Sequence, residues 1–344
     1  MKKKRSVWKI ILIVFACILL LLLLLAAAAY IYINVMLDKI DRTEITGNLS
    51  LSEEEIYDDP TVDEPDSLEY IDEAKQDFEN AQKLEIPETK GVSNVLLIGT
   101  DRHGANENGR SDSMMLVSFN YDTQKIHITS LMRAMYVCIP RPDGQVWGML
   151  NAAYSWGGPN LLVDTVELNF RIKIDHYVVV NIAAFEKAVD LLGGVEITLS
   201  ELEAAHVKSN SGIITPAGTQ LLNGAQARAY CQIRYIDNDF VRTSRQRKVI
   251  MLLMDKVKGV DLGTVLSLAD QILPLVNANL SNSQIIQYAT GILPMLNNPV
   301  TQRMLPIENE SGKTYTGIIY VGGREMYKVD FETNIKALHE FIQS

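Results

Sequence analysis

Three cysteines in 344 residues cannot staple a fold, and one of them, Cys17, falls in an apolar N-terminal run. The spacing of the other two, Cys138 and Cys231, fits one disulfide or two free thiols. Histidine is as scarce, at five residues, and no pair has the H-E-x-x-H spacing of a helical zinc site. His127 and His176 stand within or beside strand-like runs and read as structural. No G-x-S-x-G elbow offers a serine nucleophile, and no G-x-x-x-x-G-K-[ST] loop offers a cradle for a nucleotide. A basic face is also missing: the formal net charge is -10 and no helix-turn-helix pattern is evident, which argues against nucleic acid as a partner.

What the chain does have is one long hydrophobic run. Lys2, Lys3, Lys4, Arg5 and Lys9 precede it, and no charge then occurs from Ile10 to Leu37. About 20 apolar residues suffice to cross a bilayer core. The basic cluster ahead of the run places the N-terminus in the cytoplasm and the remainder outside, with Trp8, Tyr30 and Tyr32 near the two interfaces. A cleaved signal peptide is the competing reading, with Ala26 to Ala29 as small residues for cleavage, but signal h-regions are much shorter. The expected organisation is a basic cytoplasmic tail over 1–9, a signal-anchor helix over 10–37 and a single-pass protein of the cell membrane.

Negative charge is concentrated next. Between Asp38 and Lys90 stand 18 acidic and 5 basic residues, including Glu53-Glu54-Glu55 and Asp58-Asp59. Self-repelling charge with few apolar residues predicts an extended, solvated stalk over 38–90. Within it, Leu68 to Leu84 has near-helical apolar spacing and predicts a short helix.

Residues 91–344 read as one extracytoplasmic α/β domain, with a C-terminal extension from about 260. Val95-Leu96-Leu97-Ile98 before Gly99 and Tyr177-Val178-Val179-Val180 are continuous apolar runs, expected as strands buried on both faces. Met114 to Phe119, Ile126 to Met132, Val195 to Leu199 and Gly317 to Val321 are further strand candidates. Helices are expected over Pro159 to Phe170, Ala183 to Leu192, Leu221 to Tyr230, Ser244 to Val257 and Thr333 to Ile342, with at least one more between Pro274 and Pro306. Gly157-Gly158-Pro159 reads as a loop before a helix. Alternating strands and helices predict a mixed central sheet covered by helices on both faces.

Charged residues collect at the ends of these apolar elements. Gly99-Thr100-Asp101-Arg102 follows the first strand, where α/β sheets bind ligands. Gly109-Arg110-Ser111-Asp112 leads into the next strand, and Arg133 ends the third. Gln232-Ile233-Arg234 precedes Asp239, Arg242 and Arg245-Gln246-Arg247. Guanidinium forks match phosphate oxygens. Carboxylates beside them make sense where Mg²⁺ bridges carboxylate and phosphate, so the set suits pyrophosphate and phosphoryl transfer. Ordinary surface ion pairs would account for the same residues, and Arg245 and Arg247 fit the polar face of a helix.

Gly99-x-Asp101, Arg110-x-Asp112, Arg133, Asn151-Ala152-Ala153-Tyr154 with Gly157-Gly158, Val189-Asp190-x-x-Gly193-Gly194-Val195, Leu222-Asn223-Gly224-Ala225-Gln226-Ala227 to Arg234, and Asp239-Phe240-x-Arg242-x-x-Arg245-Gln246 occur here in one order. In that order the chain resembles the LytR-CpsA-Psr family over about residues 92 to 255. The resemblance implies a membrane-tethered, Mg²⁺-dependent (or Mn²⁺-dependent) phosphotransferase. Such an enzyme moves a glycopolymer, of wall teichoic acid or capsular type, from a polyprenyl-pyrophosphate carrier to peptidoglycan. It makes Asp101 and Asp112 the metal carboxylates, and Arg110, Arg133, Arg234 and Arg242 the pyrophosphate ligands, with Asp239 and Gln246 completing the site. Two positions depart from the pattern: Ala134 where the family often has Asp, and Gln232 where it often has Arg. A lipid pocket is implied too, with Leu161 to Phe170 and Val249 to Met254 as candidate walls. Two other functions stay open, a transcriptional attenuator (a label the family has carried) and a polyprenyl-phosphate binding module without turnover.

Overall fold

The computed structural model describes residues 22–52, 56, 61, 63–86, 89–101, 109–234, 236–307 and 316–344. The expected tail over 1–9, residues 10–21 of the expected anchor, Cys17 and Arg102 lie outside these. Helix α1 covers residues 22–37. Among the described residues, no helix is long and apolar enough to cross a membrane. Side chains along α1 from Leu22 to Tyr32 are more than half exposed.

A six-stranded mixed sheet forms the centre. Its strands are β1 (Val92–Thr100), β2 (Ser111–Asn120), β3 (Lys125–Leu131), β6 (His176–Asn181), β9 (Val276–Ala278) and β10 (Thr301–Leu305), in the spatial order β10-β3-β2-β1-β6-β9. β1 runs parallel to β6 and antiparallel to β2. Three two-stranded antiparallel pairs stand off this sheet: β4 (Tyr136–Arg141) with β5 (Gly144–Met149), β7 (Val195–Leu199) with β8 (Gly218–Leu222), and β11 (Thr316–Val321) with β12 (Arg324–Val329).

Helices cover both faces, as expected. Helix α2 (Leu68–Ala81), α3 (Leu150–Phe170) and α10 (Phe331–Gln343) enclose the larger core, with Leu96, Ile98, Leu116, Phe170 and Phe331 fully buried. The other side carries α4 (Ile182–Leu191), α5 (Glu201–Ser211), α6 (Gly224–Cys231), α7 (Asp239–Lys258), α8 (Leu262–Ile272) and α9 (Asn282–Ile292). Capping boxes start α5 at Ser200, α6 at Asn223 and α9 at Ser281, each side chain accepting from the backbone N–H three residues on. Leu221 and Leu222, expected as the start of a helix, instead end β8, and the helix begins only after Asn223.

The runs in β1 and β6 are not buried on both faces. Asn94, Leu96, Ile98 and Thr100 are buried, whereas Val95, Leu97 and Gly99 on the other face are half-buried, and β6 repeats the pattern with Tyr177 and Val179 against Val178 and Val180. The second face is apolar because it lines an open cleft, and an apolar cleft wall has the same sequence signature as a core.

The acidic segment is not an extended stalk in its described residues. Asp41 bridges Asn277, the Asn48 N–H donates to the Ser155 carbonyl at 2.9 Å, and the Trp156 indole donates to the Leu51 carbonyl at 3.0 Å. Helix α2, expected from its spacing, buries Ile71, Ala74, Phe78 and Ala81, and Arg171 donates to the Ala81 carbonyl at 3.1 Å. Apolar residues spaced among the acids therefore hold the strand-like strap and α2 to the domain while the charges face water. Gly157-Gly158-Pro159 is correspondingly a kink inside α3, whose first turns begin at Leu150. Gly158 has φ 67°, and a methyl there would collide with the Ile45 carbonyl of the strap; one at Gly47 would collide with Trp156. Gly158→Ala should lower the unfolding free energy by about 1–3 kcal/mol, since it strains the backbone and lifts the strap. Urea titration of the detergent-solubilised protein checks this, and an unchanged midpoint would mean the strap does not seat there.

Candidate functional site

The C-terminal ends of the parallel strands β1 and β6 open on one cleft, bounded by α4, α6 and α7. Leu97, Met115, Val180, Ile182, Phe185 and Ile250 make its walls apolar. Its polar lining comes from Thr100, Asp101, Asp112, Asn181, Arg228, Gln232 and Gln246. Of the expected lipid walls, α7 contributes Ile250 alone, and Leu161 to Phe170 pack into the core on the opposite sheet face.

A register shift between Gly99 and Thr100 turns the end of β1 and aims Asp101 at the cleft. Asp101 is clamped by Arg110: Oδ1 accepts from the Arg110 N–H at 2.7 Å, and Oδ2 from its Nε and Nη2 at 3.3 and 3.2 Å. Ser155 at the α3 kink donates to the Gly109 carbonyl at 3.4 Å, and the Asn151 N–H to the Arg133 carbonyl at 3.2 Å. The Asn151-Ala152-Ala153-Tyr154 motif thus positions both arginine loops from below without entering the cleft.

Behind Asp112 lies a buried charge cluster. Arg133 donates through Nη1 to Asp112 Oδ1 at 3.3 Å and lies 3.9 Å from Asp239 Oδ2, while Asp239 also pairs with Arg242. Arg133 is 3% and Arg242 4% exposed. Burial holds the Arg242 guanidinium below its usual range, Arg133 adds to this, Asp239 and Asp112 oppose it, and Arg234 acts with Arg133. Arg242, Arg133 and Arg234 stand together with the carboxylates of Asp239 and Asp112, a cationic surplus in low dielectric among the described residues. The Arg242 Nε is buried with no hydrogen-bond partner among the described residues. Gln246 joins the cluster to the cleft by donating to the Asp112 carbonyl at 3.4 Å. All eight expected residues therefore lie in one connected region, but only Asp101, Asp112 and Gln246 touch the cleft itself.

Two neighbouring arginines do other work. Arg245 bonds Glu203 at 3.0 Å and pairs with Asp237, tying α7 to α5. Arg247 donates to Gln302 at 2.8 Å and Ser130 at 3.2 Å, fastening α7 to the sheet. Neither is simply the solvated face of a helix. Asp190 accepts from the Gly224 N–H at 2.7 Å and so docks α6 on α4. Ala134 is buried and offers its carbonyl to the Tyr327 N–H at 2.9 Å.

Sequence reasoning missed Tyr327 and Arg228. Tyr327, from β12, is pushed up to about 12 by burial first, then by Asp239 and Glu325, so it keeps its proton beside Arg133 and Asp239. It stands almost two hundred residues from Arg133, and no local motif marks it. Arg228 was hidden on a helix whose expected start was misplaced.

Asp101 and Asp112 face one cleft beside the cationic cluster, a donor set of the kind Mg²⁺ takes when phosphate oxygens complete its shell. Among the described residues no three His, Cys, Asp or Glu side chains group to hold a metal by themselves. An ion here depends on its substrate for the remaining ligands.

An apolar cleft with carboxylates and Arg228 on its wall, and a buried arginine cluster behind, has the features of an α/β ligand site suited to an amphiphilic anion. The LytR_cpsA_psr family model matches residues 65–337, and the chain belongs to that family. The polyisoprenyl-teichoic acid–peptidoglycan teichoic acid transferase TagT of Bacillus subtilis (strain 168) is 31% identical over 214 residues, which is 60% of this chain and 65% of TagT. The match thus spans just under two thirds of that relative. TagU of Bacillus cereus, of the same description, is 29% identical over 267 residues, 76% of this chain and 83% of TagU. A solved structure of the family protein YwtF (TagT) with bound octaprenyl pyrophosphate lipid superposes with a TM-score of 0.56 at 26% identity, covering 76% of this chain and 93% of that one.

Cys138 and Cys231 are both free and buried, so the possible disulfide is not formed. Burial pushes the Cys138 thiol up to about 11 and the Cys231 thiol, in the cleft wall, up to about 12. At pH 8 such a thiol near 12 is ionised to roughly one part in 10⁴. Neither should alkylate in the native protein at that pH, and both should after denaturation, as peptide mapping by mass spectrometry reads; native labelling of Cys231 would show an open wall.

Proposed function

We propose that this protein is a membrane-anchored glycopolymer transferase that takes an anionic polymer from a polyprenyl-pyrophosphate carrier and joins it to peptidoglycan. The observation that carries the reading is the cationic surplus around Arg242 at the edge of an apolar cleft. A pyrophosphate satisfies the charge, and a polyprenyl chain suits Leu97, Met115, Phe185 and Ile250. The names of TagT and TagU and the lipid bound to YwtF support the same substrate class.

On this reading Arg133, Arg234 and Arg242 hold the pyrophosphate oxygens, and Asp239 keeps the buried guanidinium groups in place. Arg110 fixes the Asp101 carboxylate toward the cleft. Tyr327, protonated, supplies a neutral donor at the back. Asp101 and Asp112 would hold Mg²⁺, which when bound neutralises charge developing on the phosphoryl oxygens. A peptidoglycan hydroxyl attacks the sugar-linked phosphorus, the bond to the lipid phosphate breaks, and the lipid leaves as its monophosphate. Fixed positive charge aimed at the breaking bond is the main contribution of the chain.

The anchor belongs to the same proposal. Leu37 and Ile40, where α1 meets the domain, pack with Val178, and Val178 is two residues from Val180 in the cleft wall. On this reading the exit of α1 beside the cleft would hold the domain against the outer leaflet, where a polyprenyl substrate lies. A regulator acting on DNA would need the domain in the cytoplasm, and a topology reporter fused after Ser344 that reads cytoplasmic would revive it.

With the full chain in detergent and a lipid-linked glycopolymer substrate, Asp101→Ala, Asp112→Ala and Arg242→Ala should each lower turnover by about 10²–10³. Chelation should abolish turnover and Mg²⁺ restore it. Unchanged turnover in all three variants would sink the site assignment, and tight lipid binding without turnover under any metal would favour the binding module.

A further inference from the structure

The cleft has a second polar wall, opposite in origin to the Asp101–Arg242 region, formed by the last turn of α6. Cys231 and Gln232 line the cleft there, so the helix presents its C-terminal end to it. A helix C-terminus carries partial negative charge, which repels an anion unless a cation sits in the last turn. Arg228 is the basic residue of that turn and lines the cleft.

Its guanidinium has three partners. Nε donates to Glu186 Oε1 at 2.6 Å, Nη1 to Gln232 Oε1 at 2.8 Å, one helical turn on, and Nη2 to the Asn210 carbonyl at 3.5 Å. Glu186 comes from α4, which Asp190 fixes against α6 through Gly224. The bond to Gln232 decides which way that amide points. An amide whose oxygen accepts from an arginine must present its NH₂ the other way. Gln232 is exposed at the cleft, and its Nε2 makes no hydrogen bond within the described residues.

We infer that Arg228 and Gln232 act as one phosphate contact: Arg228 supplies the charge and orients Gln232, whose amide NH₂ meets the phosphate of the lipid-linked substrate. The inference rests on the proposed substrate class and names a second set of groups for it, on α6. It also gives the departure at Gln232 a physical meaning, because the positive charge stands at 228 and reaches the cleft through the neutral amide. Arg228 is a positioning residue for Gln232 as well as a charge, so Lys at 228, lacking the planar fork, replaces only part of it.

The test measures binding of octaprenyl pyrophosphate, with octaprenyl monophosphate alongside, to the full chain in detergent by isothermal titration. Arg228→Leu and Gln232→Leu should each weaken pyrophosphate binding about tenfold, the loss of one charge-assisted contact. The double variant Arg228→Leu with Gln232→Arg, which moves the charge one turn along α6, should recover to within about threefold of the parent. Glu186→Gln keeps Arg228 and should bind no more weakly than the parent. A purely structural Arg228 predicts otherwise: Glu186→Gln would lose as much as Arg228→Leu, and the double variant would not recover. Either of those results, or unaltered affinity in Arg228→Leu, overturns the inference. Arg242→Ala separates the two levels. If it abolishes binding while Arg228→Leu leaves the affinity unaltered, this inference alone fails; if the parent binds neither lipid, the substrate class fails with it.

Discussion

Arg133 and Arg242 are taken almost wholly out of water with one carboxylate, that of Asp239, between them. Desolvating two guanidinium groups costs several kcal/mol each, and one shared partner does not return it. Asp112 contributes the second carboxylate from β2, across the edge of the cleft. A fold keeps such a cluster only if the surrounding structure holds it in place, and here every major element takes part. The end of β3 carries Arg133, the start of α7 carries Asp239 and Arg242, the head of α3 holds the Arg133 carbonyl, and β12 lays Tyr327 over the top. On the proposed reading, a substrate anion offsets the cationic excess among the described residues.

The central sheet divides its two faces between stability and access. Leu96, Ile98 and Leu116 on one face are fully buried and supply the hydrophobic stabilisation of the domain. Leu97 and Val180 on the other stop half-buried, beside the buried Met115, because α4, α6 and α7 stand away from them at the strand ends. Lower on that same face, α9 and the exit of α1 close the gap through Tyr288, Leu37 and Ile40. One face therefore runs from a filled core to an open apolar cleft without a change in residue type.

This continuity explains what the sequence made legible and what it did not. Runs such as Val95 to Ile98 identified β1 and its functional end, because hydrophobicity and strand length are local properties. Whether a run faces a core or a cleft depends on how far the covering helices stand off, which no window of β1 contains. The charged cluster was readable as a set, since Asp101, Arg110, Asp112, Arg133, Arg234, Asp239, Arg242 and Gln246 end apolar elements in the order of a known family. Its division into cleft-facing carboxylates and buried arginines was not, because depth is set by packing from α3 and β12. The acidic segment misled for a related reason: its mean charge predicts extension, yet a few residues such as Ile45, Leu51, Ile71 and Phe78 decide where it lies. Charge on the outer face of a strap costs little in water, so composition is a poor guide once apolar residues recur at contact spacing.

The strap changes what a tether means for this chain. A solvated stalk would leave the domain free to wander by the length of the linker, and the cleft would meet a membrane-bound carrier only by chance orientation. Instead α1 leads into Asp41, which bridges β9, and Arg42 donates to the Leu280 carbonyl at 2.7 Å, so the chain is tied to the sheet within a few residues of the helix end. Lys39 reinforces this against Asp270 of α8. On the proposed reading, the C-terminal extension then has a mechanical role: β9, α8 and α9 form the socket that receives the anchor. On that reading the distance from bilayer to cleft would be set by packed structure, and the orientation of the cleft toward the leaflet would be fixed along with it. For a substrate whose lipid end remains in the membrane while its phosphate must reach Arg242, fixing that orientation removes much of the entropy that would otherwise oppose productive binding.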